Sequence, residues 1–279
     1  MHTYQDQTTL NKINRIALAA GDIILSHYAQ TNRAIEIKLD QSPVTAADKA
    51  ANEYIVKELQ ILFPDIPVVA EESPLPEWPI RKNWQLFWLV DPLDGTKEYI
   101  TRNGQFTVNI ALIYNQLPIL GVVYAPVLRE LFCGTAILGS FRQQIPTGTS
   151  HSIEENLNLT RIEAKPPEKG QPIIIIASRS HLNPETEAYI ASLKQSFEAN
   201  QTYEILNVGS SLKFCRLAQG QAHVYPRLSP TMEWDTAAGH AIAIFAGAYL
   251  FSHPNRTQPF VYNKLNLTNG DFVVSVLQI

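Results

Sequence analysis

Two acidic residues at the end of an apolar run are the first candidates for chemistry in this sequence. Asp91 and Asp94 follow the run Leu86 to Val90. Pro92 fixes its own φ and keeps the preceding residue out of the helical region, so we expect the chain to turn at once and to aim both carboxylates from one tight loop. Two carboxylates at such a short distance raise each other's pKa unless a cation lies between them. Because hard oxygen ligands suit Mg²⁺, the pair predicts a magnesium site.

The two residues after this pair add a place for phosphate. Gly95 and Thr96 begin the next predicted helical turn. The first N–H groups of a helix have no intrahelical partner, and they bind anions. The alternative is an ordinary turn with an Asx cap, because Asp, Pro and Gly are common in turns of every kind. The segment alone leaves both interpretations open.

Carboxylates in two further segments favour the metal site. Glu71 follows the short apolar run 68–70, and Asp235 stands where a helix is predicted to begin in the second half of the chain. Together with Asp91 and Asp94 they would form a site between two halves, which is a common place for ligands. Asp235 also has a purely structural explanation as a helix cap, which contributes about 0.5–2 kcal/mol.

The elements that must position these residues begin with two helices and an antiparallel sheet. Apolar residues at steps of three and four predict a first helix that ends near Tyr28 and a second helix from Ala46 to Phe63. Thr45 to Asp48 resembles the capping box of the second helix, which is also the structural explanation for Asp48. A turn is predicted at 40–43, and strands are predicted at 35–39, 68–70, 86–90, 106–114, 119–124 and 130–135.

The second half of the chain alternates between strands and helices, which is typical of an α/β domain. Helices are predicted from Asn183, from Ser210 and over 236–246, and strands near 173–177, 203–206, 222–225, 248–251 and 272–276. Residues 141–171 lack periodicity and collect Pro and Gly, so we place the connection between the halves there. The predicted domains are an α+β domain at 1–160 with most metal ligands and an α/β domain at 161–279 with Asp235 and the substrate contacts.

The composition excludes several classes of protein. The chain has 279 residues, of which 45% are hydrophobic and 17% charged, so it is not a disordered tail, a collagen-like fibre or a highly charged coiled coil. The formal net charge of −4 argues against general binding to nucleic acid or to anionic lipid. No GxGxxG follows a predicted strand, which disfavours a dinucleotide-binding Rossmann protein.

The location that the sequence predicts is the cytoplasm. Cys133 and Cys215 are far apart and form no CxxC, so neither a disulfide framework nor a thiolate zinc site is expected. The first ten residues show no secretory signal. The longest apolar run, 241–251, is shorter than the roughly 17–25 residues that span a bilayer. A peripheral contact with the cytoplasmic face of the inner membrane stays open.

Four ordered blocks of sequence resemble the inositol monophosphatase superfamily of Mg²⁺-dependent, lithium-sensitive phosphatases, over almost the whole chain. The blocks are Trp88 to Thr96, Trp234 to Gly239, Ser42 to Asp48 and Ala70 to Ser73. Within the superfamily, the chain is most similar to 3′(2′),5′-bisphosphate nucleotidases of the CysQ type. The segments that carry this closer similarity are Asp94 to Glu98, Ser178 to His181, Gly209 to Cys215 and Tyr225 to Arg227.

The resemblance implies a layered α–β–α–β–α fold and hydrolysis of 3′-phosphoadenosine 5′-phosphate to AMP and phosphate. This reaction recycles a by-product of sulfate assimilation, and the sulfated analogue is a further candidate substrate. Two or more Mg²⁺ ions and inhibition by Li⁺ are also implied. Glu71, Asp91 and the Leu93 carbonyl would hold the first ion, and Asp91, Asp94 and Asp235 the second. Two such ions generate the nucleophile and neutralise the leaving oxygen.

Catalytic and substrate contacts are implied in the same way. Thr96, hydrogen-bonded to Asp48, would orient the attacking water. A second phosphate needs cationic partners, and Lys213 and Arg227 flank the second half of the site. The implied substrate contacts are Glu71, Asp94, Gly95, Thr96, Lys97, Ser180, His181, Ser210, Lys213, Arg227 and Asp235. Without the resemblance, Lys213 is more readily explained as a solvated helix residue, Arg227 as a surface ion-pair partner and His181 as a helix cap.

The expected partner is therefore a small nucleotide bisphosphate, and the chain is expected to be a monomer or a homodimer. The alternatives are an inositol monophosphatase or a sugar bisphosphatase of the same superfamily. A further alternative is a regulatory binding protein that kept the fold and lost catalysis. The complete acidic set and Thr96 disfavour this last alternative.

Replacing Arg227 with Ala separates the nucleotidase from the other phosphatases. Since the guanidinium is assigned to the second phosphate, we expect activity on the bisphosphate nucleotide to fall far more than activity on inositol 1-phosphate. The measurement is phosphate release from both substrates by the variant and the wild type. Equal losses on the two substrates would favour the inositol or sugar phosphatase.

Overall fold

Seven helices and sixteen strands make up the part of the chain that the structure describes. The structure is a computed structural model, and it describes residues 4–30, 35–37, 43–147, 157–178, 183–197 and 201–277. The helices are α1 (Gln7–Tyr28), α2 (Ala46–Leu62), α3 (Trp78–Arg81), α4 (Thr96–Ile100), α5 (Pro184–Ser196), α6 (Leu212–Ala218) and α7 (Glu233–Phe245). The strands are β1 (Ile35–Ile37), β2 (Pro43–Thr45), β3 (Val68–Ala70), β4 (Leu86–Asp94), β5 (Thr107–Tyr114), β6 (Leu117–Ala125), β7 (Glu130–Thr135), β8 (Gly139–Gln144), β9 (Thr160–Ile162), β10 (Ile173–Ser178), β11 (Tyr203–Val208), β12 (Val224–Arg227), β13 (Thr231–Met232), β14 (Tyr249–Ser252), β15 (Thr268–Asn269) and β16 (Phe272–Ser275).

Two large sheets organise these elements. The first sheet has seven strands in the order β3-β4-β5-β6-β7-β8-β9, and only its β3–β4 pair is parallel. The second sheet has five strands in the order β11-β10-β12-β16-β14, in which β10 runs parallel to β11 and β12. Helices α1 and α2 cover one face of the first sheet, α6 and α7 lie between the sheets, and α5 packs on the far side of the second. The predicted α–β–α–β–α layering is confirmed.

Strand β5 shows how the sequence fixes these layers. Side chains alternate between the two faces of a strand, and both faces of β5 are buried. Val108 and Ile110 belong to the apolar cluster with α1 and α2, whereas Ala111 and Ile113 belong to the cluster with α6 and α7. That second cluster joins residues from both predicted domains, so the halves share one core. The division at residue 160 stays a prediction.

Close backbone contact brings α7 onto the first sheet. A Cβ atom built at Gly121 of β6 would lie 2.4 Å from the Ala238 carbonyl oxygen and 2.7 Å from the Ala241 Cβ. Gly239 faces the other way, where a Cβ atom would lie 2.5 Å from the Phe214 ring of α6. The helix that carries Asp235 is therefore held between β6 and α6 at a separation that glycine permits.

The predicted end of β4 at residue 90 is wrong. The strand continues to Asp94, and its pairing with β5 shifts between Asp91 and Asp94. Asp91 lies opposite Asn109 and Asp94 lies opposite Thr107, so three steps on β4 match two on β5, as in a β-bulge. Pro92 has no N–H for the ladder, which explains why the chain bulges there and then pairs again.

Three further predictions need correction. Helix α7 begins at Glu233 rather than at residue 236, because the N-cap is Met232. Pro43, which was assigned to a turn, begins β2. The aperiodic stretch 141–171 contains most of β8 and all of β9, which were not predicted. Alternation is weak there, because β8 and β9 carry mostly polar side chains.

No helix in the described part of the chain combines the length and the apolar character needed to cross a bilayer.

Replacing Gly121 with Ala should lower the free energy of unfolding by about 1–3 kcal/mol, the usual cost of forcing an extra methyl group into a close-packed contact. The backbone carbonyl of Ala238 cannot rotate away as a side chain would. Urea unfolding of the variant and the wild type measures the difference. Gly270→Ala is the matched control, since no atom lies within 4 Å of the added methyl group; equal stability of the two variants would contradict this packing.

Candidate active site

The bulge at the end of β4 places two carboxylates and a helix start in succession. Asp91 is almost fully buried, and its Oδ1 accepts a hydrogen bond from the Leu93 N–H at 3.0 Å. Asp94 returns to the ladder, and Gly95 then takes φ +90° as the N-cap of α4, a conformation that favours glycine. The bulge, rather than the predicted tight loop, aims the two carboxylates.

Asp235 comes from the other half, in the first turn of α7. Its Oδ2 accepts a hydrogen bond from the Met232 N–H at 2.9 Å, which closes a capping box. Asp235 therefore caps α7, as its structural explanation requires. It also has the predicted place in the acidic site.

The acidic side chains interact strongly. Burial raises the pKa of Asp91 well above its usual value, and the charges of Glu71, Asp94, Asp235 and Asp48 raise it further. Burial also raises the pKa of Asp235, with Asp94 and Glu71 as the next causes. The four predicted metal-site acids thus lie within electrostatic reach of one another.

The chemistry of these donors fits a divalent cation. Asp91, Asp94 and Asp235 each hold a hydrogen bond through one carboxylate oxygen, whereas the other oxygen of each accepts none from the described residues. In the described residues, no group of three or more His, Cys, Asp or Glu side chains lies close enough together to hold a metal ion as it stands. Without a cation, the like charges of these carboxylates repel one another and keep their oxygens apart. A bound cation offsets that repulsion, so the carboxylate oxygens can then converge on it.

Asp48 and Thr96 meet beside this cluster. The Thr96 hydroxyl lies 3.4 Å from Asp48 Oδ1, while Asp48 Oδ2 accepts hydrogen bonds from the Thr45 N–H and hydroxyl at 2.9 and 2.5 Å. Burial raises the pKa of Asp48 to about 6, against the lowering effect of the Thr45 hydrogen bonds. Asp48 therefore forms the expected capping box with Thr45 and also the expected contact with the Thr96 hydroxyl.

A cavity of about 300 Å³ opens on the acidic cluster from the second half. Five predicted site residues line it, namely Asp94, Ser210, Lys213, Arg227 and Asp235. Glu71, Gly95, Thr96 and Lys97 are not in its lining, and Lys97 is exposed. Ser180 and His181 lie outside the described residues.

Two cations lie side by side in this cavity. Lys213 is 7% exposed, so it is not a solvated helix residue. Burial lowers the pKa of its ammonium group to about 8, opposed by the charge of Asp94, while Arg227 lowers it further. The Arg227 Nε is buried and has no hydrogen-bond partner within the described chain. Together the two side chains offer positive charge to an anion.

Serine hydroxyls at the start of α6 turn toward Asp94. Ser210 and Ser211 donate to Asp94 Oδ2 at 2.7 and 3.0 Å. The sequence placed Ser210 near a substrate phosphate, yet its hydroxyl already has a carboxylate partner. The sequence analysis also missed Glu98, which lines the cavity and is buried. Its place in the first turn of α4, shortly after Gly95 and Thr96, is the signal that was available.

Comparisons with known proteins agree with one another. The model of the inositol monophosphatase family matches residues 6–272. The chain is 44% identical over 269 residues to the 3′(2′),5′-bisphosphate nucleotidase CysQ of Escherichia coli O6:H1 (strain CFT073), with 96% of this chain and 99% of the relative covered. It is 41% identical over 270 residues to the protein of the same name from Buchnera aphidicola, covering 96% and 94%. The crystal structure of CysQ from Bacteroides thetaiotaomicron superimposes with a TM-score of 0.84 at 41% identity, covering 99% and 98% of the two chains.

Replacing Asp91 with Asn should raise the melting temperature of the metal-free protein. The pKa of Asp91 is raised in the folded state, so ionising it costs stability as the pH rises above the unfolded value of about 3.8. We expect a gain of at least about 2 °C at pH 8, which corresponds to about 1 kcal/mol for a chain of this size. Thermal unfolding in chelator measures it.

The gain should shrink as the pH falls toward about 4 and vanish below about pH 3, where the carboxyl is protonated in both states. Asp65→Asn, which changes an exposed aspartate, is the control and should leave the melting temperature unchanged. A gain in Asp91→Asn that is independent of pH, or no gain at all, would contradict the electrostatic cost assigned to this cluster.

Proposed function

This chain belongs to the inositol monophosphatase family, and we propose from that premise that it is a 3′(2′),5′-bisphosphate nucleotidase, a phosphatase that hydrolyses 3′-phosphoadenosine 5′-phosphate to AMP and phosphate. The sulfated analogue is a second proposed substrate. The observation that carries the proposal is the pair Lys213 and Arg227 in the same cavity as Asp94 and Asp235. The carboxylates of this cavity are proposed for a metal ion, and its two cations for a second phosphate.

We assign the metal ligands to this chain's carboxylates. Glu71, Asp91 and the Leu93 carbonyl are proposed for one Mg²⁺, and Asp91, Asp94 and Asp235 for another. When bound, the ions supply an activated water and neutralise the charge on the leaving oxygen. Inhibition by Li⁺ is expected on the same assignment.

Thr96 and Asp48 are assigned to the attacking water. Because the pKa of Asp48 is about 6, its carboxyl is largely ionised at pH 7 and above and can accept the hydrogen of the Thr96 hydroxyl. The Thr96 oxygen then accepts a hydrogen bond from water, which fixes the direction of the water lone pairs. The N–H groups of Gly95 and Thr96 are assigned to the phosphate that is cleaved, and Lys97 stays a predicted contact.

Substrate selection rests on charge. A bisphosphate nucleotide brings a second dianion, whereas an inositol phosphate presents only neutral hydroxyls beyond its single phosphate. Burying Lys213 costs stability even beside Asp94, as the lowered pKa of its ammonium group shows. A second phosphate offsets that cost, which favours the nucleotide over inositol 1-phosphate.

The cellular setting is part of the proposal. Cys133 and Cys215 are buried free thiols, which fits a reducing cytoplasm. A monomer or a homodimer is proposed, with a small-molecule substrate as the partner.

Phosphate release tests the function. With Mg²⁺ present, we expect the wild type to hydrolyse 3′-phosphoadenosine 5′-phosphate in strong preference to inositol 1-phosphate at matched concentrations. Asp94→Asn should lose this activity by at least about 100-fold, since it removes a ligand charge that stabilises the transition state. Preference for inositol phosphate would move the assignment to an inositol monophosphatase. No metal-dependent release from either substrate would favour a non-catalytic binding protein.

A further inference from the structure

Polar side chains alternate with apolar ones at the start of β5 and in the two residues before it, whereas the rest of the strand is apolar. Gln105, Thr107 and Asn109 alternate with Phe106 and Val108, which belong to the core beneath α1 and α2. Side chains two residues apart lie on one face of an extended chain, so the three polar groups face the same way. Thr107 and Asn109 are at most 1% exposed, and a buried polar group costs free energy unless it is hydrogen-bonded.

These three side chains contact three consecutive residues of the second half. The Gly209 N–H donates to Gln105 Oε1 at 2.8 Å, and the Thr107 and Ser210 hydroxyls lie 2.5 Å apart. Asn109 Nδ2 donates to Ser211 Oγ at 2.9 Å. Thr107 Oγ1 also lies 2.9 Å from Asn109 Oδ1, but a hydroxyl has a single hydrogen. Because Ser210 donates its hydrogen to Asp94, the Thr107 hydrogen is the one that completes the Thr107–Ser210 contact. We call these six residues the polar ladder.

The polar ladder ends on a carboxylate. Ser210 donates to Asp94 Oδ2 at 2.7 Å, whereas the single Ser211 hydrogen is shared between Asp94 Oδ2 at 3.0 Å and the Asp235 carbonyl oxygen at 2.7 Å. A serine oxygen that accepts a hydrogen bond keeps its own hydrogen for another acceptor. By donating to Ser211, Asn109 therefore directs the serine hydrogen toward Asp94 or the Asp235 carbonyl.

We propose that Thr107 and Asn109 are positioning residues that set the orientation of the Asp94 carboxylate for the divalent ion, through Ser210 and Ser211. The proposal rests on the proposed function in that it takes Asp94 as a metal ligand. Outer partners of metal ligands fix ligand orientation, and their loss weakens metal binding about 10- to 100-fold. The polar ladder also joins both halves of the chain at the ligand, so the orientation of the Asp94 carboxylate depends on the docking of the halves.

The test is titration calorimetry of Mg²⁺ binding to the full chain without substrate. Thr107→Val keeps the shape of the side chain and removes its hydroxyl, and we expect Mg²⁺ to bind it about 10-fold more weakly. Asn109→Leu should show a loss of similar size. Thr107→Ser keeps the hydroxyl and should bind Mg²⁺ within about twofold of the wild type.

Thr135→Val is the matched control, because Thr135 is equally buried in the first sheet and its hydroxyl donates to the Gln5 carbonyl, away from the site. This variant should lose stability and keep Mg²⁺ affinity. Wild-type affinity in Thr107→Val and Asn109→Leu would overturn the proposal, as would an equal loss in Thr135→Val or a wild type that binds no Mg²⁺.

Two readouts separate this proposal from the proposed function. If the wild type binds Mg²⁺ and the polar-ladder variants bind it weakly, the positioning role of Thr107 and Asn109 is supported. This result stands even if the wild type hydrolyses no nucleotide. If Thr107→Val does not fold, Asn109→Leu and Thr107→Ser decide between the outcomes.

Discussion

Burial of several like charges at one point is the constraint on which the rest of this structure depends. Asp91 is almost fully buried and Asp235 is partly buried, and both interact with Asp94 and Glu71, so each raises the free energy of ionising the others. Such a cluster lowers the stability of the chain unless a cation joins it. The strand ends, the helix start and the docking of the two halves all serve to hold this unfavourable arrangement in place.

The two halves meet through apolar and polar contacts of different character. Gly121 lets α7 approach β6 closely, which brings Asp235 to the acidic cluster as part of the core. The polar ladder is also buried, but there hydrogen bonds with fixed directions replace apolar packing between the halves. Apolar contact sets the distance between the halves, whereas the hydrogen bonds set the orientation of Asp94.

Much of this arrangement can be predicted from local sequence. The parts that cannot be predicted depend on contacts between distant segments, and each has its own physical reason. The capping box at Thr45 and the apolar runs before Glu71 and Asp91 are signals within a few residues, so the sequence predicts the elements that carry the acids. The β-bulge depends on how β4 pairs with β5, and no property of Pro92 alone distinguishes a bulge from a turn. Ser210 has its partner 116 residues away in Asp94, which is a tertiary contact that local patterns do not contain.

The measurement that tests the central claim most directly is anomalous diffraction from crystals grown with Mn²⁺ in place of Mg²⁺. If the buried carboxylates form a divalent-cation site, anomalous peaks should appear between Asp91, Asp94 and Asp235, at about 2.1–2.3 Å from their oxygens. Strong peaks elsewhere with none among these three residues would contradict the claim, because the charge cluster would then have no cation to stabilise it.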